Sequence, residues 1–558
     1  MPASGSAPLT VSPTTCHATS DAISHASGQT TPPVRDITIG DLLRAAATSA
    51  PDHVGLIEGL PLADGLTATD RRQWTYAEFL ADAERTARAL LTRFSPGDHI
   101  AVWAHNLPEW ELVEFGCALA GMVIVTVNPA FQRQELEYVL TQSTSRALFV
   151  ASSHRGNPML ATAREAQPDC PDLEEIISFD EWDDFLAAGV DFVGEFPDVR
   201  PTDPVMLQYT SGTTGFPKGA LLHHRGLVNN GHHYVDRLGV SDRGVYVQTM
   251  PLFHTGGSVM GVMGCVSKQL TQVLVPVFDP GLVIELSETY RSNTMLGVPT
   301  MLVAILEHPT FAAADLSSLQ ALCSGGSLVP EHLVRTFEEQ LGAPFTIVFG
   351  QTECSPVASM TRPTDTIEDK AGTIGPPMPN VEVRIVDPES GETLPIGAIG
   401  EYVTRGYHVM HGYFDMPEAT AEAIDADGWL HTGDLAAMDE RGYCTIEGRL
   451  KDMIIRGGEN VYPKELEELL FSREDVGEVA VVGLPDDKWG ETVGAFIRPA
   501  PGHAVDKNAL FEHLRQHLAP HKTPRQWFAV EEFPFTGSGK IQKYKLREQW
   551  LAGEHTEL

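Results

Sequence analysis

The run Tyr209-Thr-Ser-Gly-Thr-Thr-Gly-Phe-Pro-Lys-Gly219 gathers hydroxyls and glycines around a single cation, Lys218. Glycine lets backbone N–H groups turn inward, and Ser and Thr add further donors, so such a loop can wrap a polyphosphate. The donors would come from Thr210, Ser211, Gly212, Thr213, Thr214 and Gly215. It is not a Walker A loop, which needs four residues between its glycines and a Ser or Thr after the lysine; here Gly219 follows. A plain Gly/Ser/Thr linker rarely carries Phe-Pro-Lys between two glycines. Pro251-Leu-Phe-His-Thr-Gly-Gly257 sets His254 beside an aromatic ring and ahead of an apolar run, Val259–Val266. The pairs His223/His224 and His232/His233 have no carboxylate or Cys at metal-site spacing, which argues against zinc. No Ser-His-Asp or Cys-His nucleophile is evident.

The loop resembles the signature of the acyl-adenylate-forming superfamily of acyl-CoA synthetases, luciferases and peptide-synthetase adenylation domains. Further segments agree in order, over roughly residues 37–557. Asn128-Pro-Ala-Phe-Gln132 and Gly297-Val-Pro-Thr-Met301 resemble the medium-chain fatty acyl-CoA synthetases in particular. In Phe349-Gly-Gln-Thr-Glu353 the resemblance implies an adenine stack at Phe349, further nucleotide contacts at Gly350 and Gln351, a phosphate donor at Thr352 and a Mg²⁺ ligand at Glu353. Gly325-Gly-Ser-Leu328, with Gly325, Gly326 and Ser327, becomes the loop facing the adenine. It could be mistaken for the serine of a carrier protein, but no separate carrier domain surrounds it.

Gly428-Trp-Leu-His-Thr-Gly-Asp434 and Glu447-Gly-Arg-Leu-Lys-Asp452 read as surface turns on their own. The resemblance places Asp434 and Arg449 on a ribose, and Lys451 at a hinge about which one C-terminal domain presents two faces. The first face carries Lys540, in Thr536-Gly-Ser-Gly-Lys-Ile541, to neutralise charge during adenylation. The second carries Arg456-Gly-Gly-Glu-Asn-Val461, whose Gly457 and Gly458 line a pantetheine channel. By the same resemblance His254 gates the acyl carboxylate, and Thr210, Glu353 and Lys540 join it as the catalytic set. The acyl pocket is read from His254, Val259, Met260, Val298, Val348 and Cys354, which are mostly apolar or small and so suit a monocarboxylic chain or ring.

These loops need elements to hold them. Residues 38–50 put Ile39, Leu42, Leu43 and Ala46 on one helical face. From about 95, strand-like runs (His99–Trp103, Arg146–Val150, Val205–Gln208, Phe345–Val348) alternate with helix-like ones such as Gln134–Leu140, and helix 226–238 is expected to border the acyl pocket. The fold expected is α/β: a large N-terminal domain of two βα sheet subdomains plus a β-rich subdomain beginning near 375, then a small mobile α+β domain. That last part has strands Glu478–Val482 and Thr492–Ile497 and a helix with Leu510, Phe511, Leu514 and Leu518 on one face. The expected divisions are a disordered extension over 1–35, rich in Ser, Thr and Pro, an adenylation core over 36–450, and the mobile domain over 451–558.

With 558 residues and 42% hydrophobic content the chain can bury several cores. Its net charge of −36 repels nucleic acid and anionic membrane, so an anionic ligand must be held by local donors. The longest apolar stretch, Gly116–Val127, is too short to span a bilayer. Seven scattered cysteines favour a reducing compartment, read as the cytoplasm. The expected ligands are a small carboxylic acid, ATP, Mg²⁺ and coenzyme A; a homodimer stays open. Val482-Gly-Leu-Pro-Asp-Asp-Lys-Trp-Gly490 resembles free-standing CoA ligases and favours CoA as acceptor. A carrier protein, an amine or another nucleophile remains the alternative, as does activation of an oxyacid such as nitrite.

Overall fold

The computed structural model describes residues 23–558 except 64, 211–216, 328, 458, 487 and 536–540. Two large, mostly parallel sheets dominate. The first runs in the order Gly412–Tyr413, Lys218–His223, Pro204–Thr210, Val123–Val127, His99–Trp103, Ala147–Val150, Glu175–Ser178. Its central strands Val123–Val127 and His99–Trp103 are buried along their whole length. Such near-continuous apolar runs belong to parallel strands covered on both faces. The helix Pro108–Ala120, begun by a proline and ended by Gly121 at φ 67°, is buried almost throughout.

The second sheet runs Val357–Met360, Phe345–Gly350, Ala321–Gly325, Thr294–Leu296, Val245–Gln248, Thr271–Leu274, Val54–Glu58, Gln73–Thr75. An antiparallel sheet follows, from His25–Ser27 through Val381–Val386, Gly400–Gly406 and Leu430–Met438 to Cys444–Arg449. The last sheet lies towards the C-terminus, built from Ile454–Arg456, Glu459–Val461, Val476–Asp486, Gly490–Pro499 and Gln526–Ala529. This is the expected α/β architecture of two βα sheets, a β-rich part and a small α+β unit. No helix among the described residues is long and apolar enough to cross a membrane.

Local sequence explains many boundaries. The first helix, Ile39–Ser49, starts at Thr38, whose hydroxyl accepts from the Asp41 N–H while the Asp41 carboxylate accepts from the Thr38 backbone. It buries Ile39, Leu42, Leu43 and Ala46, as its periodicity predicts.

Two expectations need correction. The extension does not run loose to residue 35. His25–Ser27 adds an antiparallel strand to Val381–Val386, Asn380 donates to the Pro32 carbonyl, and the Arg35 N–H donates to Asn229 Oδ1. Its composition shows that it has no core of its own, yet the open edge of a neighbouring sheet supplies backbone partners. Phe511 does not share the buried face of Lys507–His517: Leu510 and Leu514 are fully buried, while Phe511 is 39% exposed. One residue is a 100° step around a helix, enough to turn the ring outward. Asp434 and Arg449, expected in the β-rich part, lie in its strands Leu430–Met438 and Cys444–Arg449.

Candidate functional site

Strands Pro204–Thr210 and Lys218–His223 pair antiparallel with Thr210 opposite Lys218, so the hydroxyl-rich loop leaves and re-enters the sheet edge at facing residues. The Thr210 hydroxyl donates to the Lys218 carbonyl at 3.3 Å. Lys218 Nζ lies 4.9 Å from the centroid of the Tyr413 ring, and the Tyr413 hydroxyl donates to Glu353 Oε1 at 2.7 Å. Tyr413 therefore touches both the loop's cation and the candidate metal-binding carboxylate.

Glu353 is delivered by the strand Phe345–Gly350 and the short helical turn Thr352–Cys354. Gly350 has φ 157°, and a Cβ there would lie 2.0 Å from the Pro356 carbonyl oxygen, so only glycine fits. Ser355, at φ 62°, turns the chain back and donates its hydroxyl to the His408 carbonyl at 2.8 Å. The Met410 N–H donates to the Glu353 carbonyl at 2.9 Å. From the helix His224–Leu238, the fully buried Asn230 amide donates to the Val357 carbonyl at 2.8 Å and to that of Cys354 at 3.3 Å, and accepts from the Val357 N–H at 3.0 Å. Thr352 and Glu353 are thus buried in a turn gripped from two sides.

Beside this turn, Gly325 ends its strand opposite Val348. A Cβ on Gly325 would lie 2.5 Å from the Val348 carbonyl oxygen, and Gly326 adopts φ 79°. Ser327 is exposed, and Gln351 is half-buried. The half-buried Phe349 ring stands edge-on to Tyr402, centroids 5.1 Å apart, leaving ring surface that a planar base could cover.

Asp434 and Arg449 face each other across adjacent strands, with Arg449 Nε donating to Asp434 Oδ1 at 3.0 Å. Asp434 holds the Arg449 guanidinium above its ordinary pKa, and Glu353 adds to the same shift, so these three charges lie within one another's reach. The turn before Asp434 is fixed by Glu401, whose carboxylate accepts from the Gly433 N–H at 2.9 Å and from His431 Nδ1 at 2.7 Å. That bond raises the His431 pKa. Lys451 lies in the short turn Leu450–Asp452 after Arg449; burial and the nearby guanidinium lower its pKa.

On the acyl side, the Gly256 N–H donates to His254 Nδ1 at 3.0 Å, which puts the ring proton on Nε2. Val259 and Met260 sit in a rare π-helical segment, Gly256–Met263, that packs against His224–Leu238. Glycine allows that close packing: a Cβ on Gly231 would lie 2.7 Å from Met263 Cβ. Val298 and Val348 are partly buried against the same core, and Val298 Cγ1 would lie 4.0 Å from a Cβ on Gly326. Cys354 is fully buried, and burial together with Glu353 pushes its thiol far up, away from nucleophilic duty. His223 and His224 accept from backbone N–H groups of Gly226 and Ile39, and His232 meets Arg35; among the described residues no three metal-type ligands converge.

In the C-terminal part, Gly457 has φ 62°, and a Cβ there would lie 2.6 Å from Trp489. Lys488 and Arg456 both face the Trp489 ring, and Arg525 is near enough to lower the Arg456 pKa after burial does. Ser211, Gly212, Thr213, Thr214, Gly215, Gly458 and Lys540 lie outside the described residues.

Sequence reasoning missed Tyr413, Asn230, and the pair Glu401 and His431. For Tyr413 the signal was present: a Gly-aromatic step, His411-Gly-Tyr-Phe-Asp415, with no apolar periodicity to explain it as core. Asn230 carries no signal, because a single amide in a helix is read only through what it reaches.

Family comparison agrees with this geometry. The AMP-binding enzyme model matches residues 43–414, and the AMP-binding enzyme C-terminal domain matches 465–540. "Putative acyl-CoA synthetase YngI" of Bacillus subtilis (strain 168) is 40% identical over 92% of this chain and 97% of its own. The human mitochondrial medium-chain acyl-CoA ligase ACSF2 is 35% identical over 94% of this chain and 90% of its own. Among solved structures, the anthranilate CoA ligase AuaEII in complex with anthranoyl-AMP aligns with a TM-score of 0.83 at 26% identity, covering 94% of this chain and 99% of that one. ATP-bound MatB from Rhodopseudomonas palustris aligns with a TM-score of 0.81 at 28% identity, covering 92% and 99%. The chain belongs to the AMP-binding enzyme family.

Proposed function

We propose that this protein is an ATP-dependent carboxylic acid:CoA ligase working through an acyl-AMP, with a medium-chain fatty acid or an aryl acid as its substrate. The observation that carries the reading is that Tyr413 touches both Lys218 and Glu353, with the Asp434–Arg449 pair close enough to Glu353 for its charge to act on Arg449.

A carboxylate is a poor acyl donor because its leaving group would be oxide. In the first step a carboxylate oxygen attacks the α-phosphorus of ATP, an O–P bond forms, and pyrophosphate departs. Lys218 and the loop 210–218 are read as holding the phosphates, Asp434 the ribose, and Phe349 with Gly325 and Gly326 the base. His254, protonated on Nε2, would present an N–H donor to the acyl carboxylate. Glu353 fits Mg²⁺, which takes hard oxygens and is commonly held by one or two carboxylates plus substrate phosphates. Bound there, the metal would neutralise charge on the departing phosphates. Lys540 is assigned to the charge that develops as the carboxylate attacks.

In the second step a thiol sulfur bonds to the acyl carbon, AMP leaves, and the thiol proton passes to solvent. No enzyme nucleophile takes part, in keeping with the raised Cys354 thiol. We place the hinge between 36–450 and 451–558 at Lys451. The basic residues Arg456, Lys488 and Arg525 around Trp489, beside Gly457, support a phosphate-rich thiol such as CoA. The pocket reading from Val259, Met260, Val298, Val348 and Cys354 supports an uncharged acyl tail. Cys117, Cys170, Cys265, Cys323 and Cys354 are buried free thiols, which supports a reducing compartment, for which we propose the cytoplasm.

Mass spectrometry of the products from ATP, Mg²⁺ and a panel of carboxylic acids, with and without CoA, tests the reading. Acyl-CoA and AMP are the expected products. Acyl-AMP that CoA leaves unchanged would overturn the acceptor, and absence of adenylate with every acid would overturn the substrate class.

A further inference from the structure

Tyr413 occupies a position that the proposed chemistry does not use. Its backbone is held on every side. Gly412 and Tyr413 pair with Leu221 and Ala220 as an edge strand on the strand that follows the phosphate-type loop. The Phe414 N–H donates to the Gly219 carbonyl at 2.8 Å, and the Tyr413 N–H to Thr420 Oγ1 at 2.9 Å. Gly412 has φ 147°, and a Cβ there would lie 2.5 Å from Thr420 Cγ2, so the approach itself demands glycine. The side chain so presented has two working parts: a hydroxyl 2.7 Å from Glu353 Oε1, and a ring face 4.9 Å from the Lys218 ammonium. Among the described residues no carboxylate lies within ion-pair distance of Lys218, and the Tyr413 ring faces its ammonium.

We infer that Tyr413 is a positioning residue that sets Glu353 and Lys218 at the same time. Donation to Oε1 fixes the plane of the carboxylate and leaves Oε2 to meet the incoming metal–nucleotide complex. The ring's π face holds the ammonium at the mouth of the loop by a cation–π contact that a triphosphate outcompetes. A Tyr kept only for packing would need no O–H; half-buried on an edge strand, Phe would pack as well. The inference rests on the reading of Glu353 as the carboxylate facing Mg²⁺.

The two parts come apart by substitution. Tyr413→Phe keeps the ring and loses the hydroxyl, whereas Tyr413→Leu loses both. Binding of α,β-methylene-ATP is measured by calorimetry, with no acid present, across a Mg²⁺ series and in chelator. A hydrogen bond to a charged group predicts that Tyr413→Phe raises the Mg²⁺ needed for half-maximal binding by about 5–20-fold. Binding in chelator should stay as in the parent. For Tyr413→Leu the same Mg²⁺ shift is expected, with chelator binding weaker by about 2–5-fold from loss of the cation–π contact. A Tyr413→Phe protein with the parent's Mg²⁺ dependence overturns the inference, as does a melting-temperature loss without any Mg²⁺ shift. Glu353→Gln separates this from the underlying reading. If it shifts the Mg²⁺ dependence and Tyr413→Phe does not, only the role of Tyr413 falls. Should Glu353→Gln itself leave that dependence unchanged, the metal reading falls with it. If Tyr413→Leu does not fold, the Phe variant decides alone.

Discussion

Asn230 offers the sharpest test of how the Glu353 turn is held. Its side chain is fully buried and makes three hydrogen bonds to the backbone of Cys354 and Val357, the residues that follow Glu353. Asn230→Ala strands the Val357 N–H and two carbonyls away from water. A stranded buried group costs about 1–3 kcal/mol, so with one of the three bonds long the loss should be roughly 2–4 kcal/mol. Spread over the N-terminal part at roughly 2 cal/mol/K per residue, this lowers the first thermal transition by about 2–5 °C. Asn230→Asp should be worse at neutral pH, although it is nearly isosteric. The new carboxylate still accepts from Val357 N–H but faces two carbonyl oxygens in a dry site. Its pKa in the folded state would be raised, so the folded protein binds the extra proton and stability falls as pH rises through that range. Scanning calorimetry at pH 5.5 and 8 should therefore rank parent above Ala above Asp at high pH, with the Asp variant recovering at low pH as its O–H donates to a carbonyl. Adenylate formation should fall in the same order. An Asp variant as stable as the parent at pH 8 would refute the idea that this amide's donors hold the turn.

Other outcomes follow from the same geometry. Lys540→Ala should slow adenylation by about 10²–10³-fold while largely sparing thioester formation from supplied acyl-AMP, read by quenched single-turnover assays of each half-reaction; equal loss in both would contradict the two-face reading. His431, raised by its bond to Glu401, contributes fully below the unfolded value near 6.5 and loses that contribution as pH climbs through the raised folded value. Nucleotide affinity relative to a His431→Gln variant should accordingly decline between neutral and alkaline pH, and a constant ratio would remove the latch. Phe511→Ser should change stability by no more than about 0.5 kcal/mol, whereas Leu514→Ala should cost roughly 2–5 kcal/mol, both measured by urea titration.

Much of the fold was legible because buried parallel strands announce themselves. His99–Trp103 matches its predicted bounds, and the helix Arg133–Gln142 and strand Ala147–Val150 that follow it fall within two residues of theirs. The capping box at Thr38 and Asp41 likewise marks a helix start in plain text. The failures share a cause, which is dependence on distant partners. His25–Ser27 becomes a strand only because Val381–Val386 offers an open edge, and nothing near residue 25 encodes that. Phe511 follows the helical period too loosely for a one-residue step to be seen in composition. Among site residues, the motifs point to Lys218, Glu353, Asp434 and Arg449 because each sits in a distinctive run. Tyr413 and Asn230 act through contacts 60 and 124 residues away in sequence; the Gly-aromatic step hints at the first, whereas a lone helical amide gives no sign of the second.

The net charge of −36 makes a polyphosphate an unwelcome guest, and the site's cations show how the fold answers that. Neither cation waits bare. Arg449 rests on Asp434, and Lys218 lies over a neutral aromatic ring. The two arrangements differ in what a ligand must undo. On the proposed assignment a ribose hydroxyl would donate to the Asp434 carboxylate, which a bare phosphate cannot do. Freeing Lys218 leaves only a ring face, which costs little. On the proposed assignment the pairing would discriminate: Lys218 would yield to any polyphosphate, while the Asp434–Arg449 pair would open only for a ligand that brings a sugar diol. Inorganic triphosphate presents the charges without the diol. It should bind far more weakly than ATP for that reason, and Asp434→Ala should narrow the gap by weakening ATP alone; equal weakening of both ligands would show that Asp434 acts through the general field and not through the sugar.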